Sequence, residues 1–186
     1  MRIISGVFKG RSIEFLKNSN TRPLKDSVRE NIFNLLKHSN RIEIDIENSN
    51  VLDVYCGIGS FGIECLSRGA QQVTFIDQDF KASSILKQNL IKLSLLNKSK
   101  IILSKIEDFL INDTKEKFNI FFFDPPFKDL HYLDNIKIIK EKKFFHKNHV
   151  VIAHRERSSQ DELIDLLKII ETKQYGRSKI LFGIFK

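Results

Sequence analysis

The tetrapeptide Asp124-Pro125-Pro126-Phe127 places a carboxylate, two rigid imino acids and an aromatic ring directly after the apolar run Phe118-Asn119-Ile120-Phe121-Phe122-Phe123. A run this short and aromatic-rich reads as a buried strand that stops at the prolines. One chemistry uses every residue of the turn. The exocyclic amine of a nucleobase is a poor nucleophile, because its lone pair is delocalised into the ring. Two acceptors, the Asp124 carboxylate and a main-chain carbonyl such as that of Pro125, would bind its hydrogens and turn the lone pair toward an electrophile. The prolines hold φ near −65° and bring no N–H to compete, and Phe127 would stack on an extruded base. Taken alone, the same four residues could merely end a strand and cap a core.

A second motif lies upstream. Gly57-Ile58-Gly59-Ser60-Phe61-Gly62 follows the strand-like Val51-Leu52-Asp53-Val54-Tyr55 and opens a helix, the context a G-x-G-x-x-G loop requires. By itself the loop serves NAD, FAD and S-adenosylmethionine alike. Asp53, four residues before Gly57, helps to choose: a carboxylate is badly placed beside a pyrophosphate and well placed beside an ammonium and a sulfonium. It can also bond loop amides, and the two roles are compatible. Asp77, 20 residues after Gly57, stands where an acid accepts ribose hydroxyls, or where it would cap a helix together with Asp79.

These residues need a scaffold, and the hydrophobic pattern supplies one. Arg2-Ile3-Ile4 and Arg11 to Leu16 suggest a β-hairpin, and periodicity after Asp26 predicts a helix with Ser27 and Glu30 as a capping box. From Val51 onward strands and helices alternate. Strands are expected at 51–55, 72–76, 100–104, 118–123 and 149–153, with helices at 61–68, 79–95, 107–111, 130–139 and 160–170 and a final strand pair at 174–175 and 180–185. This alternation predicts an α/β, Rossmann-like, mainly parallel sheet with helices on both faces. The irregular stretch from Ser39 to Asn50 separates an N-terminal part, 1–38, from a main domain, 39–186.

Composition narrows the partners. No apolar run nears the roughly 18 residues that cross a bilayer, and the start lacks a signal-peptide pattern, so a cytoplasmic protein is expected. Two cysteines, Cys56 and Cys65, have no metal-type spacing and read as free thiols; no metal site is expected. The formal charge of +8 is uneven: residues 1–30 carry an excess of +4, 31–127 of −1, 128–149 of +3 and 150–186 of +2. A basic arm and a basic segment following Phe127, beside the expected site, suit a polyanion. His154 follows a strand and reads as structural rather than as a general base, since an alkylated amine sheds its proton readily.

Asp53-Val54-Tyr55-Cys56-Gly57-Ile58-Gly59 with Asp124-Pro125-Pro126-Phe127 resembles the class I S-adenosylmethionine-dependent amino-methyltransferases. Met1-Arg2-Ile3-Ile4-Ser5-Gly6, Lys9-Gly10-Arg11, Thr21-Arg22-Pro23, Asp26-Ser27-Val28-Arg29-Glu30, Phe33-Asn34 and Leu66-Ser67-Arg68-Gly69-Ala70 are similar to one branch of them, the bacterial 16S rRNA guanine-N2 methyltransferases of the RsmD type. The resemblance implies a seven-stranded sheet with a reversed final strand, preceded by a small RNA-holding hairpin. It implies S-adenosylmethionine as cofactor and, as acceptor, one guanine of 16S rRNA on a small subunit or assembly intermediate. The catalytic set it implies is Asp124, Pro125, Pro126 and Phe127, and the cofactor set Asp53, Tyr55, Gly57, Gly59, Asp77, Ile106 and Asp108. Ile106, through its main chain, or Asp108 would meet the adenine, because Lys105-Ile106-Glu107-Asp108 stands where many relatives carry an acid. Arg22 is the leading RNA contact, joined by Arg2, Lys9 and Arg11, and a monomer is expected. Competing readings are an adenine-N6 methyltransferase on RNA or DNA, a non-catalytic ribosome-assembly factor, and an NAD-dependent oxidoreductase, the last disfavoured by Asp53 and the Pro-Pro turn.

Overall fold

The computed structural model describes residues 1–15, 24–111, 116–159 and 163–186. Its elements in chain order are α1 (Asp26–His38), β1 (Asn50–Val54), α2 (Ser60–Ser67), β2 (Gln72–Asp77), α3 (Phe80–Lys92), β3 (Ser99–Leu103), α4 (Ile106–Ile111), β4 (Phe118–Phe123), α5 (Tyr132–Glu141), β5 (Phe145–Glu156), α6 (Leu163–Leu166), β6 (Leu167–Tyr175) and β7 (Ser178–Phe185). They form a seven-stranded sheet in the order β3-β2-β1-β4-β5-β7-β6. Strands β1 to β5 pair in parallel, and β7 runs antiparallel to both β5 and β6. The expected reversed final strand is therefore present.

The two central strands explain why the sheet forms where it does. Val51, Leu52, Val54, Phe121 and Phe123 are wholly buried, as strands covered by helices on both faces require. On one face a core runs from Ile3, Ile13 and Leu24 through α1, α2 and α3 to Ile152 and Phe182; on the other, α4, α5 and α6 cover Leu52, Phe121 and Phe123. Phe61 of α2 stacks between Phe33 of α1 and Phe122 of β4, at 5.1 and 4.1 Å. Offset aromatic contacts of this kind join α1, α2 and the strand that ends at Asp124.

Two local expectations fail. Helix α1 already begins at Asp26 with Lys25 as N-cap and no side-chain cap, so Ser27 falls inside the first turn and the Ser27–Glu30 box does not form. Asp26 instead pairs with the buried Arg29 at 3.0 Å. The helix expected over 160–170 is also wrong beyond Leu166: within the described residues α6 ends there and Leu167–Tyr175 is strand. β-Branched Ile169 and Ile170 favour the pleated conformation, and pairing with β7 decides the matter.

The N-terminal residues form a short antiparallel pair, with a bridge between Arg2 and Ser12 and backbone bonds from Ile3 N–H to the Arg11 carbonyl and from Ile13 N–H to that of Met1. Glu64 of α2 accepts from the Ile4 and Ser5 amides, and Asn89 of α3 exchanges two bonds with the Glu14 backbone.

Candidate active site at the carboxyl ends of the central strands

In an open α/β sheet, ligands bind beyond the carboxyl ends of the strands where the strand order reverses. Here that point lies between β1 and β4. The loop after β1 and the turn after β4 face each other across it, and the Asp124 amide still donates to the Val54 carbonyl at 3.4 Å.

The glycine loop is shaped by backbone sign and by contact. Gly59 has φ +76°, and a Cβ there would lie 2.4 Å from Leu86 Cδ1, so only glycine lets the loop close onto α3. A Cβ on Gly57, at φ +54°, would meet nothing within 4 Å, which leaves open space against the loop. Asp77 ties the loop to β2: its Oδ2 accepts the Gly57 amide at 2.7 Å and its Oδ1 the Asp79 amide at 2.8 Å. Asp79, not Asp77, caps α3. Tyr55 is a non-glycine residue at φ +59°; its hydroxyl accepts from Asn135 of α5, which also donates to Glu107 of α4 at 2.9 Å. That network was not legible in the sequence, and it fixes both the loop and the start of α4. Burial raises the Tyr55 phenol to about 12.

Asp53 is 1% exposed. Its Oδ2 accepts the Gly62 amide at 2.9 Å, while Oδ1 has no hydrogen-bond partner among the described residues. Desolvation raises its pKa well above the usual range; the Gly62 bond opposes this, and the nearby carboxylates Asp124 and Asp77 add to it. A carboxyl whose folded-state pKa is raised contributes stability that is full below its unfolded pKa, roughly 3.9, and lost as pH rises through the folded value. Asp53→Asn removes this loss. Its stability relative to wild type should therefore increase as pH rises from about 4 through the raised Asp53 pKa, as urea melts of both proteins at stepped pH would show.

The Asp124–Phe127 turn is gripped from both sides of the sheet. Phe123 pairs with Ala153 in the β4–β5 register, so the next residues, Asp124 and His154, emerge side by side. Asp124 Oδ1 and His154 Nδ1 are 2.7 Å apart, and the Phe127 ring meets the His154 ring edge-on at 5.7 Å. Arg155 points to the opposite face, where it is fully buried. It donates to the carbonyls of Pro126, Phe127 and Asp129 at 3.2, 2.8 and 3.3 Å and lies 4.4 Å from the Tyr132 ring centre. Among the described residues none donates to the Pro125 carbonyl. His154, which the sequence reads as structural, and Arg155, which it does not single out, are the side chains that hold the turn. Their signal was position alone: both close the strand after the one ending in Asp-Pro-Pro-Phe.

The remaining expected residues divide. Ile106 is buried in the core, so only its main chain can face a ligand, whereas Asp108 is exposed. Exposed Arg2, Lys9 and Arg11 sit on a segment bonded to Glu64 and Ser67, in the second half of α2, and are not gathered at the strand ends. Arg22 lies outside the described residues. Most of the basic segment after Phe127 lies away from the site, Lys128, which follows Phe127 directly, excepted. Helix α5 carries the chain back across the sheet, so Lys140, Lys142, Lys143 and Lys147 cluster at the start of β5, with Lys147 more than about 20 Å along the strand from His154.

The family described as "Conserved hypothetical protein 95" matches residues 1–184. The chain belongs to this family. Among its relatives, Bacillus subtilis YlbH, named as a proposed rRNA methyltransferase, is 32% identical over 95% of this chain and 94% of its own length. The ribosomal RNA small subunit methyltransferase D of Haemophilus influenzae is 31% identical over 84% of this chain and 79% of its own length. The solved structure of YhhF from Escherichia coli, described as a proposed methyltransferase, superposes with a TM-score of 0.85 at 25% identity, covering 100% of this chain and 98% of that one. The fold is that of the class I methyltransferases.

Proposed function

We propose that this protein methylates small-subunit rRNA, transferring a methyl group from S-adenosylmethionine to the exocyclic N2 of a guanine. The observation that carries the proposal is the meeting, at one sheet edge, of the Asp124 turn with a glycine loop flanked by Asp53 and Asp77. The repulsion that Asp124 and Asp77 exert on Asp53 suits a cationic ligand and opposes a pyrophosphate. The partnerless Asp53 oxygen and the open space at Gly57 fit such a ligand too. When bound, S-adenosylmethionine supplies a methyl group made electrophilic by its sulfonium.

The chain's own residues then do the positioning. Asp77 would accept the ribose hydroxyls with its remaining lone pairs, and the α4 start would border the adenine through the Ile106 main chain and Asp108. Asp124 and the Pro125 carbonyl would accept the two amine hydrogens and aim the lone pair. Phe127 would stack on the base. The small-subunit rRNA substrate is supported by the names of the relatives; guanine N2 is supported by the amine-binding geometry together with the N-terminal sequence blocks. We assign residues 1–38 as an RNA-contacting extension of a monomeric enzyme, with Arg2, Lys9, Arg11 and Arg22 as its phosphate contacts.

The test is transfer of a labelled methyl group to small subunits, naked 16S rRNA or DNA, with the modified nucleotide mapped. Label on a single guanine N2 of 16S rRNA is expected. Label on adenine, or on DNA alone, would overturn the substrate; no transfer to any of the three would favour an assembly factor.

A further inference from the structure

We infer that His154 is the positioning residue for Asp124: it donates its Nδ1 proton to Oδ1, locks the carboxylate's rotation and leaves Oδ2 as the oxygen offered to the acceptor amine. The inference rests on the methyltransferase reading and adds to it a residue and an assignment of the two carboxylate oxygens.

The geometry allows little else. The two side chains are the first pair beyond the last β4–β5 register position, 2.7 Å apart. Both are largely withdrawn from solvent, at 14% and 24% exposure. An ionised carboxylate only accepts, so the bond requires the proton on Nδ1, and it thereby selects the imidazole tautomer. The Phe127 ring against His154 at 5.7 Å prevents the imidazole from swinging away.

The arrangement answers a mechanical need. An aspartate at a strand end turns freely about its last torsion, whose profile is broad, and either oxygen could then meet the amine in many orientations. Aiming a delocalised lone pair requires one orientation. With Oδ1 held by His154 and the Pro126 and Phe127 carbonyls held by Arg155, Oδ2 and the Pro125 carbonyl are the two acceptors of the turn to which none of the described residues donates. They number the same as the two hydrogens of an unmethylated amine. After transfer the cationic nitrogen loses one of these protons to solvent, and the His154–Asp124 bond is unchanged.

The experiment compares His154→Leu, which fills the space without a donor, with His154→Asn, whose amide can replace the Nδ1 donor. His154→Leu should lower kcat about 10–100-fold, the usual effect of losing an orienting partner, with KM for S-adenosylmethionine within about twofold of wild type. His154→Asn should recover most of that loss. A packing role predicts the reverse order, and equal activity of both variants with wild type would overturn the inference. Independently of turnover, ring-nitrogen NMR of the wild-type protein should show the Nδ1–H tautomer, and Asp124→Ala should remove its preference. An Nε2–H tautomer in the wild type would sink the proposal even if methylation proceeds. Absence of transfer by the wild type, with the Nδ1–H tautomer present, would instead overturn the methyltransferase reading and uphold the bond.

Discussion

Asp124→Ala should lower methyl transfer to small-subunit rRNA by about 10³-fold or more, while S-adenosylmethionine binds nearly as before. The variant loses one of the two acceptors for the amine, and removing a single preorganised hydrogen-bond partner of a transition state costs about 10²–10³-fold in rate. His154 would also lose its partner, which adds disorder at the site. Cofactor binding should survive, because the Gly57 amide is held by Asp77 and the Gly62 amide by Asp53, independently of Asp124. Removing Asp124 also relieves repulsion of Asp53, so Asp53 should ionise at lower pH in the variant. Calorimetric titration with S-adenosylhomocysteine and single-turnover methylation separate the two effects. Near-normal turnover by Asp124→Ala would show that the carboxylate does not aim the amine.

Arg155→Met should have the largest effect on stability, about 3–5 kcal/mol by analogy with breaking a buried charged network. The guanidinium is fully buried, serves three carbonyls of the turn and lies over the Tyr132 ring. Methionine fills similar space but donates nothing. The Pro126 carbonyl keeps the Asp129 amide at 2.8 Å, but those of Phe127 and Asp129 lose this donor, and each carbonyl left unsatisfied away from water costs about 1–3 kcal/mol. Arg155→Lys keeps the charge but lacks the planar fork that reaches several acceptors at once, so it should fall between. Urea unfolding with an unchanged m-value would report the loss, and a midpoint within error of wild type would mean the turn holds itself. At temperatures where Arg155→Met stays folded, its kcat should fall too, because the freed Phe127 and Asp129 carbonyls would leave the chain after Pro125 less rigidly held.

The central strands and the loop chemistry could be read locally because the information in them is local. Phe118–Phe123 was bounded by its own prolines, and Gly57 and Gly59 by the turn they make. The failures are equally specific. Leu167 to Ile170 looked helical by its apolar spacing, but an open edge of β7 was waiting for it. The Ser27–Glu30 box satisfied a sequence rule, but the helix began two residues too early to use it. The lysines from Lys140 to Lys147 were near the site in sequence only, because a parallel strand must be reached by a crossover that ends at the opposite edge.

The sequence alone therefore determined the class of the fold and the strand ends at which the glycine loop and the Asp-Pro-Pro-Phe turn meet, since each depends on residues within one turn or one strand. Tertiary structure decided what grips that turn. His154 and Arg155 lie about thirty residues from their partners, and only the Phe123–Ala153 register brings them there. A shift of one residue would exchange their faces, aiming the arginine at Asp124 and the histidine at the buried carbonyls. Register arises from packing on both faces of the whole sheet, and no short stretch of this chain encodes it.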